Sequence, residues 1–388
     1  MNPPERDPPQ RDSPQRAWAT IDLAALRHNL GRVRELCPEA GIIAVVKADA
    51  YGHGMAECTE ALRDAEAGIC GFAVATMDEA RRLRKLQPDL PIQCLNGFRD
   101  SDELQDCATL DFQPVLHEQN QLRLLREFSM ERDGRLTVWL KQNTGMNRLG
   151  LSAASCLAAG AEFGRREDME IRLMSHLAWA DDLDDPGSAA FTREQLLAFE
   201  HLHRDLASEL DAPPPSSMSA SSGILCLPDA HYDYVRPGIM LYGSSPLAGS
   251  SAAELGLRPV MSLRARLLAV REVKAGEAVG YGATWRFPRD TRMGVVSIGY
   301  ADGYPRSAVN GTPMLVASGG GWEPCKLVGR VSMDMITVDL GEMDGVGPGS
   351  EVILWGEGLD ADEVAARAGT IAYELFTRVT ARVPKIHI

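Results

Sequence analysis

Residues 41–54, GIIAVVKADAYGHG, decide how this chain is read. Ile42, Ile43, Ala44, Val45 and Val46 form an unbroken apolar run, the pattern of a parallel strand covered on both faces. The run stops at Lys47 and gives way to a polar, glycine-broken loop holding Asp49, Tyr51, Gly52, His53 and Gly54. A lysine at the end of a buried strand loses hydration of its ammonium, so its pKa falls and its amine becomes nucleophilic near neutral pH. Such an amine is suited to forming a Schiff base. On this segment alone a lysine that snorkels to water is the commoner explanation, and the rest of the chain has to decide.

Working outward, apolar runs alternate with helical patterns. Strands are expected at 42–47, 69–76, 91–96, 112–117, 136–141, 171–178, 217–221 and 234–241. Helices are expected near 55–67, 77–86, 101–108, 118–128, 152–163 and 189–210, after an amphipathic helix opened by Ile21 and N-capped by Asp22. This alternation predicts an α/β fold, a (β/α)8 TIM-type barrel over residues 17–246. The rival, a doubly wound open sheet, lacks a G-x-G-x-x-G after the first strand. The small, polar stretch AGSSAAE then marks a boundary near 247. Beyond it, short runs at 260–273, 278–281, 293–299, 313–317, 324–330, 335–339 and 351–355 predict a smaller, mainly β C-terminal domain over 247–388. A short helix at 361–368 and a last strand at 378–388 complete it.

The opening, MNPPERDPPQRDSPQ, is rich in proline and charge, so residues 1–16 read as a disordered tail rather than a signal peptide. A net charge of −14 argues against nucleic-acid or anionic-membrane partners. The eight cysteines are scattered without a C-x-x-C pair, which favours reduced thiols and a cytoplasmic location. Cys and His never cluster at ligand spacing, so no metal site is expected.

In a barrel of this type chemistry sits at the C-terminal ends of the strands. Lys47, Lys141, His176, Ser221 and Arg236 all fall there. The eighth strand runs into VRPGIMLYG (235–243), where Gly238 lets backbone N–H groups approach a phosphate and Ser221 adds a hydroxyl. A Schiff-base lysine on the first strand next to a phosphate cradle on the last suits a phosphorylated aldehyde, and pyridoxal phosphate is the obvious one.

These residues belong to longer motifs that resemble the alanine racemase family of fold-type III pyridoxal-phosphate enzymes. The motifs are AVVKADAYGHG (44–54), KQNTGMNRLG (141–150), MSHLAWAD (174–181), VRPGIMLYG (235–243), VGYGATW (279–285), IGYADGYPR (298–306), GRVSMDM (329–335) and AYELFTRVTARVPK (372–385). The resemblance implies interconversion of L-alanine and D-alanine, supplying D-alanine for peptidoglycan or degrading it. It implies that Lys47 carries the cofactor and acts as one base, while Tyr281 is the second. Tyr51, Ser221, Gly238, Ile239 and Tyr373 would hold the phosphate, and Arg236, backed by His176, would face the pyridine nitrogen. Arg148 and the Met333 N–H would take the substrate carboxylate, Tyr300 and Tyr373 would crowd its side chain, and a carbamylated Lys141 would steady Arg148. Tyr281 and Met333 would reach the site from the partner subunit of a homodimer with shared active sites. One departure stands out: Asn143 occupies the place where the family usually has Asp. Two other readings stay open, a broad-specificity, serine or lysine racemase of the same family, and a non-catalytic pyridoxal-phosphate carrier. Such carriers resemble only the barrel half, whereas this chain has both halves.

Overall fold

A computed structural model describes residues 15–129, 134–210 and 212–388. The described chain forms two compact units: Ile21–Val260 with His387–Ile388, and Met261–Ile386 with residues 15–20.

In the first unit eight parallel strands follow one another in a ring: Gly41–Val45, Gly71–Val74, Ile92–Cys94, Phe112–Leu116, Leu136–Lys141, Met169–Met174, Ser216–Ser217 and Tyr234–Val235. The first strand pairs with the second through Ile43↔Gly71 and with the eighth through Ile42↔Val235. The ring closes between the seventh and eighth at a parallel bridge, Ala220↔Arg236. Ile42 to Val46 are all buried, as a strand covered on both faces requires. The helices between the strands start where side chains can satisfy their first-turn amides. Asp22, Thr76, Asp100, Glu118, Ser152 and Asp185 each accept from the helix that follows.

The eighth strand, expected to run to 241, stops at Val235. Pro237 has no N–H to give a sheet ladder, and the chain turns at Gly238 into the 3-10 helix Ile239–Tyr242. The seventh shrinks to Ser216–Ser217, and Ser221 instead opens an unexpected helix, Ser221–Cys226. The units part at Val260/Met261, whereas the sequence placed the boundary at 246/247. Residues 247–260 stay with the barrel because its first helix holds them. The Asn29 amide donates to Arg258 O and accepts from Arg258 N–H, both at 2.8 Å. Arg32 likewise donates to Leu255 O.

In the second unit six antiparallel strands close on themselves: Thr291–Val296, Ile336–Gly341, Gly321–Leu327, Pro313–Ser318, Glu351–Trp355 and Met261–Val273. Met261–Val273 closes the ring because it is long enough to pair first with Glu351–Trp355 and then with Thr291–Val296. The sequence reading missed the strand Ala17–Ile21 and the helix Ala372–Arg378, and the expected strand 378–388 is only Lys385–His387. Of the expected tail, residues 1–14 lie outside the described residues. Arg16 is tied down, donating to Ser297 O at 2.7 Å and pairing with the buried Asp302. All eight cysteines are free. Among the described residues no helix is long and apolar enough to cross a membrane, and no His, Cys, Asp and Glu cluster could hold a metal.

Candidate active site

Lys47 lies just past the first strand and opens a turn of unusual backbone. Ala48, Asp49, Ala50 and Tyr51 have φ of 52, 56, 55 and 53°, four consecutive L-residues in the left-handed region. Each costs roughly 1–2 kcal/mol there, so the turn persists only because its surroundings hold it. Ala50 N–H donates to Val46 O and Gly52 N–H to Ala48 O. Ala48 N–H donates to Glu79 Oε1 at 2.7 Å. Asp49 accepts from Met55 N–H and pairs with Arg82. The turn lays the Tyr51 ring on Tyr242, with centroids 4.7 Å apart. The Tyr51 hydroxyl then lies against Gly238, where a Cβ would meet it at 2.6 Å, so a side chain there would push the Tyr51 ring aside.

Beside Gly238, Ser221 Oγ accepts from Gly238 N–H at 3.0 Å and Met240 N–H at 3.4 Å. The helices Ser221–Cys226 and Ile239–Tyr242 both begin without a side-chain cap. With Met240 N–H given to Ser221 Oγ, the Ile239 N–H and the first amides of Ser221–Cys226 are the donors left for an anion.

The charges converging here are nearly all of one sign. Arg236 is buried, donating to Ser175 O at 2.6 Å, to Met218 O at 3.3 Å and to Ser217 Oγ, and none of these is a carboxylate. Burial lowers its guanidinium to about 10, still protonated at neutral pH. Lys141, buried at the end of the fifth strand, is lowered to about 8 by loss of water and then by Arg236, Arg148 and Lys47. His176 is pushed down to about 3 by burial and the same cations, so its imidazole is neutral. Lys47 is lowered by burial and Arg148, with Glu79 alone opposing.

Arg148 sits on the loop after the fifth strand, exposed and without a hydrogen bond or ion pair among the described residues. Asn143 shapes that loop. Its Oδ1 accepts from Gly145 and Asn147 N–H, and its Nδ2 donates to Asn147 Oδ1 at 2.8 Å. Behind the loop stands Gln195, fully buried on the long helix Pro186–Glu209. Its amide donates to Thr144 Oγ1 and to His176 O, and accepts from Ala178 N–H. One side chain thus ties the loop carrying Arg148 to the strand end carrying His176.

The remaining expected site residues belong to the second unit. Tyr281 starts the turn Tyr281–Ala283 and is 73% exposed; Met333 is 53% exposed. Tyr300 N–H donates to Ser332 O and Ala301 N–H to Met333 O, so these two segments move as one. Asp302 holds them, accepting from Gly299 N–H and pairing with Arg16 and Arg382. Tyr373 is half-buried on Ala372–Arg378.

Glu79, Gln195 and Asp302 were not singled out from the sequence. A signal existed for two of them. Thr76-x-x-Glu79 is a capping-box pattern, and Ser188, Thr192 and Gln195 repeat at helical spacing on an otherwise apolar face.

Comparison with known proteins agrees with this picture. Residues 21–246 match the family model "Alanine racemase, N-terminal domain" and residues 260–387 match "Alanine racemase, C-terminal domain". The chain is 46% identical over 370 residues to the biosynthetic alanine racemase of Escherichia coli K12, covering 95% of this chain and 98% of that one. Among solved structures, the biosynthetic alanine racemase of Pseudomonas aeruginosa is 43% identical, with a TM-score of 0.87 over 97% of this chain and 100% of that one. The alanine racemase of Bartonella henselae with covalently bound pyridoxal phosphate is 30% identical, with a TM-score of 0.83 over 97% of this chain and 100% of that one. With both domain models matched in order and relatives aligned almost end to end, the chain belongs to the alanine racemase family.

Proposed function

We propose that this enzyme interconverts L-alanine and D-alanine with pyridoxal phosphate held at the barrel mouth, and that it serves D-alanine synthesis, as the biosynthetic relatives are named to do. One observation carries the reading. Lys47, Arg148 and Arg236 converge with Lys141, which carbamylation would turn into one anion. Among the described residues Glu79 is the carboxylate that opposes them at Lys47, so the site calls for a ligand with more than one negative group. A phosphorylated cofactor together with an amino-acid carboxylate meets that demand.

The residues present fit the cofactor. Ser221, Gly238, Ile239 and Tyr51 would line the phosphate cradle, and Tyr373 would be a further phosphate donor. Lys47, its amine made nucleophilic by burial, would hold the aldehyde carbon. When bound, the cofactor supplies the electron withdrawal that acidifies the Cα proton of an amino acid. Arg236, a fixed cation, would keep the ring nitrogen from taking a proton and so restrain that withdrawal, suppressing transamination, and His176, neutral, would stand behind it.

Arg148 would grip the substrate carboxylate with two parallel N–H bonds, helped by the Met333 N–H. A carbamylated Lys141 would supply the anion that Arg148 lacks. Lys47 Nζ would move a proton at one face of Cα and the Tyr281 hydroxyl at the other. Two groups are needed because a substrate gripped at its carboxylate cannot turn over between them. Tyr300 and Tyr373 would leave room for little more than a methyl side chain. Tyr281, Met333 and Met335 are exposed on the second unit, which supports a homodimer in which a second copy offers them to the barrel mouth.

The test is an assay of purified protein on both enantiomers of a panel of amino acids, with alanine the best substrate. Tyr281→Phe should lose solvent-deuterium exchange at Cα of L-alanine more than of D-alanine. Lys47→Ala, with methylamine carrying the cofactor, should show the opposite bias. Mixing the two inactive variants should restore activity if sites are shared. Equal losses on both enantiomers in both variants would refute the two-base assignment.

A further inference from the structure

Glu79 opens the helix Met77–Leu86, in the capping box with Thr76. That duty occupies one oxygen: Oε2 accepts from Ala75 N–H at 2.9 Å and Thr76 N–H at 3.1 Å. The other oxygen crosses to a different element and accepts from Ala48 N–H at 2.7 Å. Ala48 is the residue directly after Lys47 and the first of the left-handed turn. A first-turn amide has no partner inside its own helix, so this contact is what holds the Lys47–Ala48 peptide.

We propose that Glu79 is a positioning residue for Lys47, fixing through the Lys47–Ala48 peptide the angle at which the Lys47 amine meets its partner. The proposal rests on the reading that Lys47 carries the cofactor. Two independent features support it. The turn is strained at four successive residues and would relax without an external clamp at its entrance. Among the described residues Glu79 is also the carboxylate that counters burial and Arg148 in the field at Lys47. Position and charge therefore come from the same side chain, and they can be separated.

Three variants separate them. Glu79→Gln removes the charge and leaves one acceptor oxygen, able to serve Ala48 or the Ala75 and Thr76 amides but not both. Glu79→Ala removes charge and acceptors together, and Thr76→Ala weakens the helix cap without touching Ala48. The probes are pyridoxal phosphate titrated into stripped protein, followed by the visible band, and the pH at which that band changes in the loaded enzyme. Glu79→Ala should need about tenfold more cofactor for half-saturation, the loss of one charged hydrogen bond. Glu79→Gln should fall between the parent and Glu79→Ala in cofactor demand, and its band should change at lower pH, because losing the negative charge favours the uncharged nitrogen. Thr76→Ala should lower the melting temperature while moving neither readout.

If Glu79→Ala binds cofactor as Thr76→Ala does and Glu79→Gln shows no change in the pH of the band, the proposal is overturned. Should Glu79→Ala fail to fold, Glu79→Gln alone still decides. Borohydride reduction and peptide mapping of the parent enzyme test the underlying reading separately. An adduct on Lys85 or Lys274 would sink the Lys47 assignment, whereas an adduct on Lys47 with unaltered Glu79 variants would sink only the clamp.

Discussion

The left-handed turn after Lys47 can be tested by relieving it. Ala48 is exposed and has φ of 52°, so its methyl group adds strain and little packing. Removing it in Ala48→Gly should recover about 1–2 kcal/mol of left-handed strain. Against this stands the greater freedom of glycine in the unfolded chain, about 0.5–1 kcal/mol. The balance is a gain of about 0.5–1 kcal/mol, which for a unit of this size raises the barrel's melting temperature by roughly 1–4 °C. Ala50 has φ of 55° but is fully buried. Ala50→Gly gives up a buried methyl worth about 0.8 kcal/mol, and its effect should be close to zero. Ala48→Val, β-branched at a positive φ, should be clearly destabilising.

Activity should move the other way. A glycine after Lys47 samples both halves of φ space, so the lysine is held less firmly and turnover should fall up to about tenfold. Thermal melts and steady-state rates on the three variants are the assay. If Ala48→Gly melts several degrees below the parent, the turn is not under the strain its dihedrals imply, and the argument fails.

Other consequences follow from the same geometry. Arg148→Lys should mainly raise KM for alanine, because an ammonium cannot make the two parallel bonds of a guanidinium, while Arg148→Ala should also lower kcat; parent-like kinetics in both would move the carboxylate site elsewhere. Lys141, brought to about 8, has an uncharged fraction near neutral pH able to take up carbon dioxide. High-resolution density should show a planar extension at its Nζ, and a bare ammonium or a chloride would count against it. Gln195→Leu leaves His176 O and Ala178 N–H without this partner and Thr144 Oγ1 with Ser175 Oγ alone, so it should cost about 2–4 kcal/mol of stability and raise KM as the Arg148 loop loosens. An unchanged KM would show that the loop holds itself.

How much of this was legible depends on which physical signal each residue leaves. The first strand was readable because burial on both faces demands an unbroken apolar run, and Ile42–Val46 supply it. The seventh was hard to read because Ser216–Ser217 is two polar residues held by their neighbours. The turn after Lys47 left no trace at all, since Ala48 to Tyr51 contain no glycine to announce positive φ. The barrel residues of the candidate site could be picked out because they stand at strand ends. Tyr281, Tyr300, Met333 and Tyr373 belong to a different unit, and only a likeness to whole motifs could associate them with Lys47. Asn143 was read against a missing carboxylate, but its amide is engaged with Gly145 and Asn147 in its own loop. Glu79 carried a visible helix-start pattern, yet a capping box says nothing about where its second oxygen goes.

The cation cluster has a consequence for stability that does not depend on turnover. Lys141 is 8% exposed, and its displacement from 10.5 to about 8 means that keeping it charged in the folded protein costs about 3 kcal/mol. Above pH 10.5 the amine is neutral in both states and the cost vanishes. As pH falls from 10.5 to about 8 the unfolded chain takes up the proton first, so stability is lost across that window and the full cost remains below it. His176 behaves alike at lower pH: held neutral down to about 3, it withdraws stability as pH falls below 6.5. Several buried thiols, Cys37, Cys70, Cys94, Cys156 and Cys325 among them, are pushed up from 9 to about 11 or 12 and lose stability over part of the same range. The amine is therefore read by difference: relative to Lys141→Met, protein stripped of cofactor and carbon dioxide should gain stability between pH 8 and 10.5. Anions bound at the site offset the same cations, so loaded protein should show a smaller rise over that range. It should also be more stable at pH 8, by about 2.7 kcal/mol at a hundredfold excess over Kd. Chemical denaturation of both forms at several pH values measures this directly. No gain relative to Lys141→Met across the window, or parallel curves for the stripped and loaded forms, would mean that the clustered charges are relieved by something other than a bound anion.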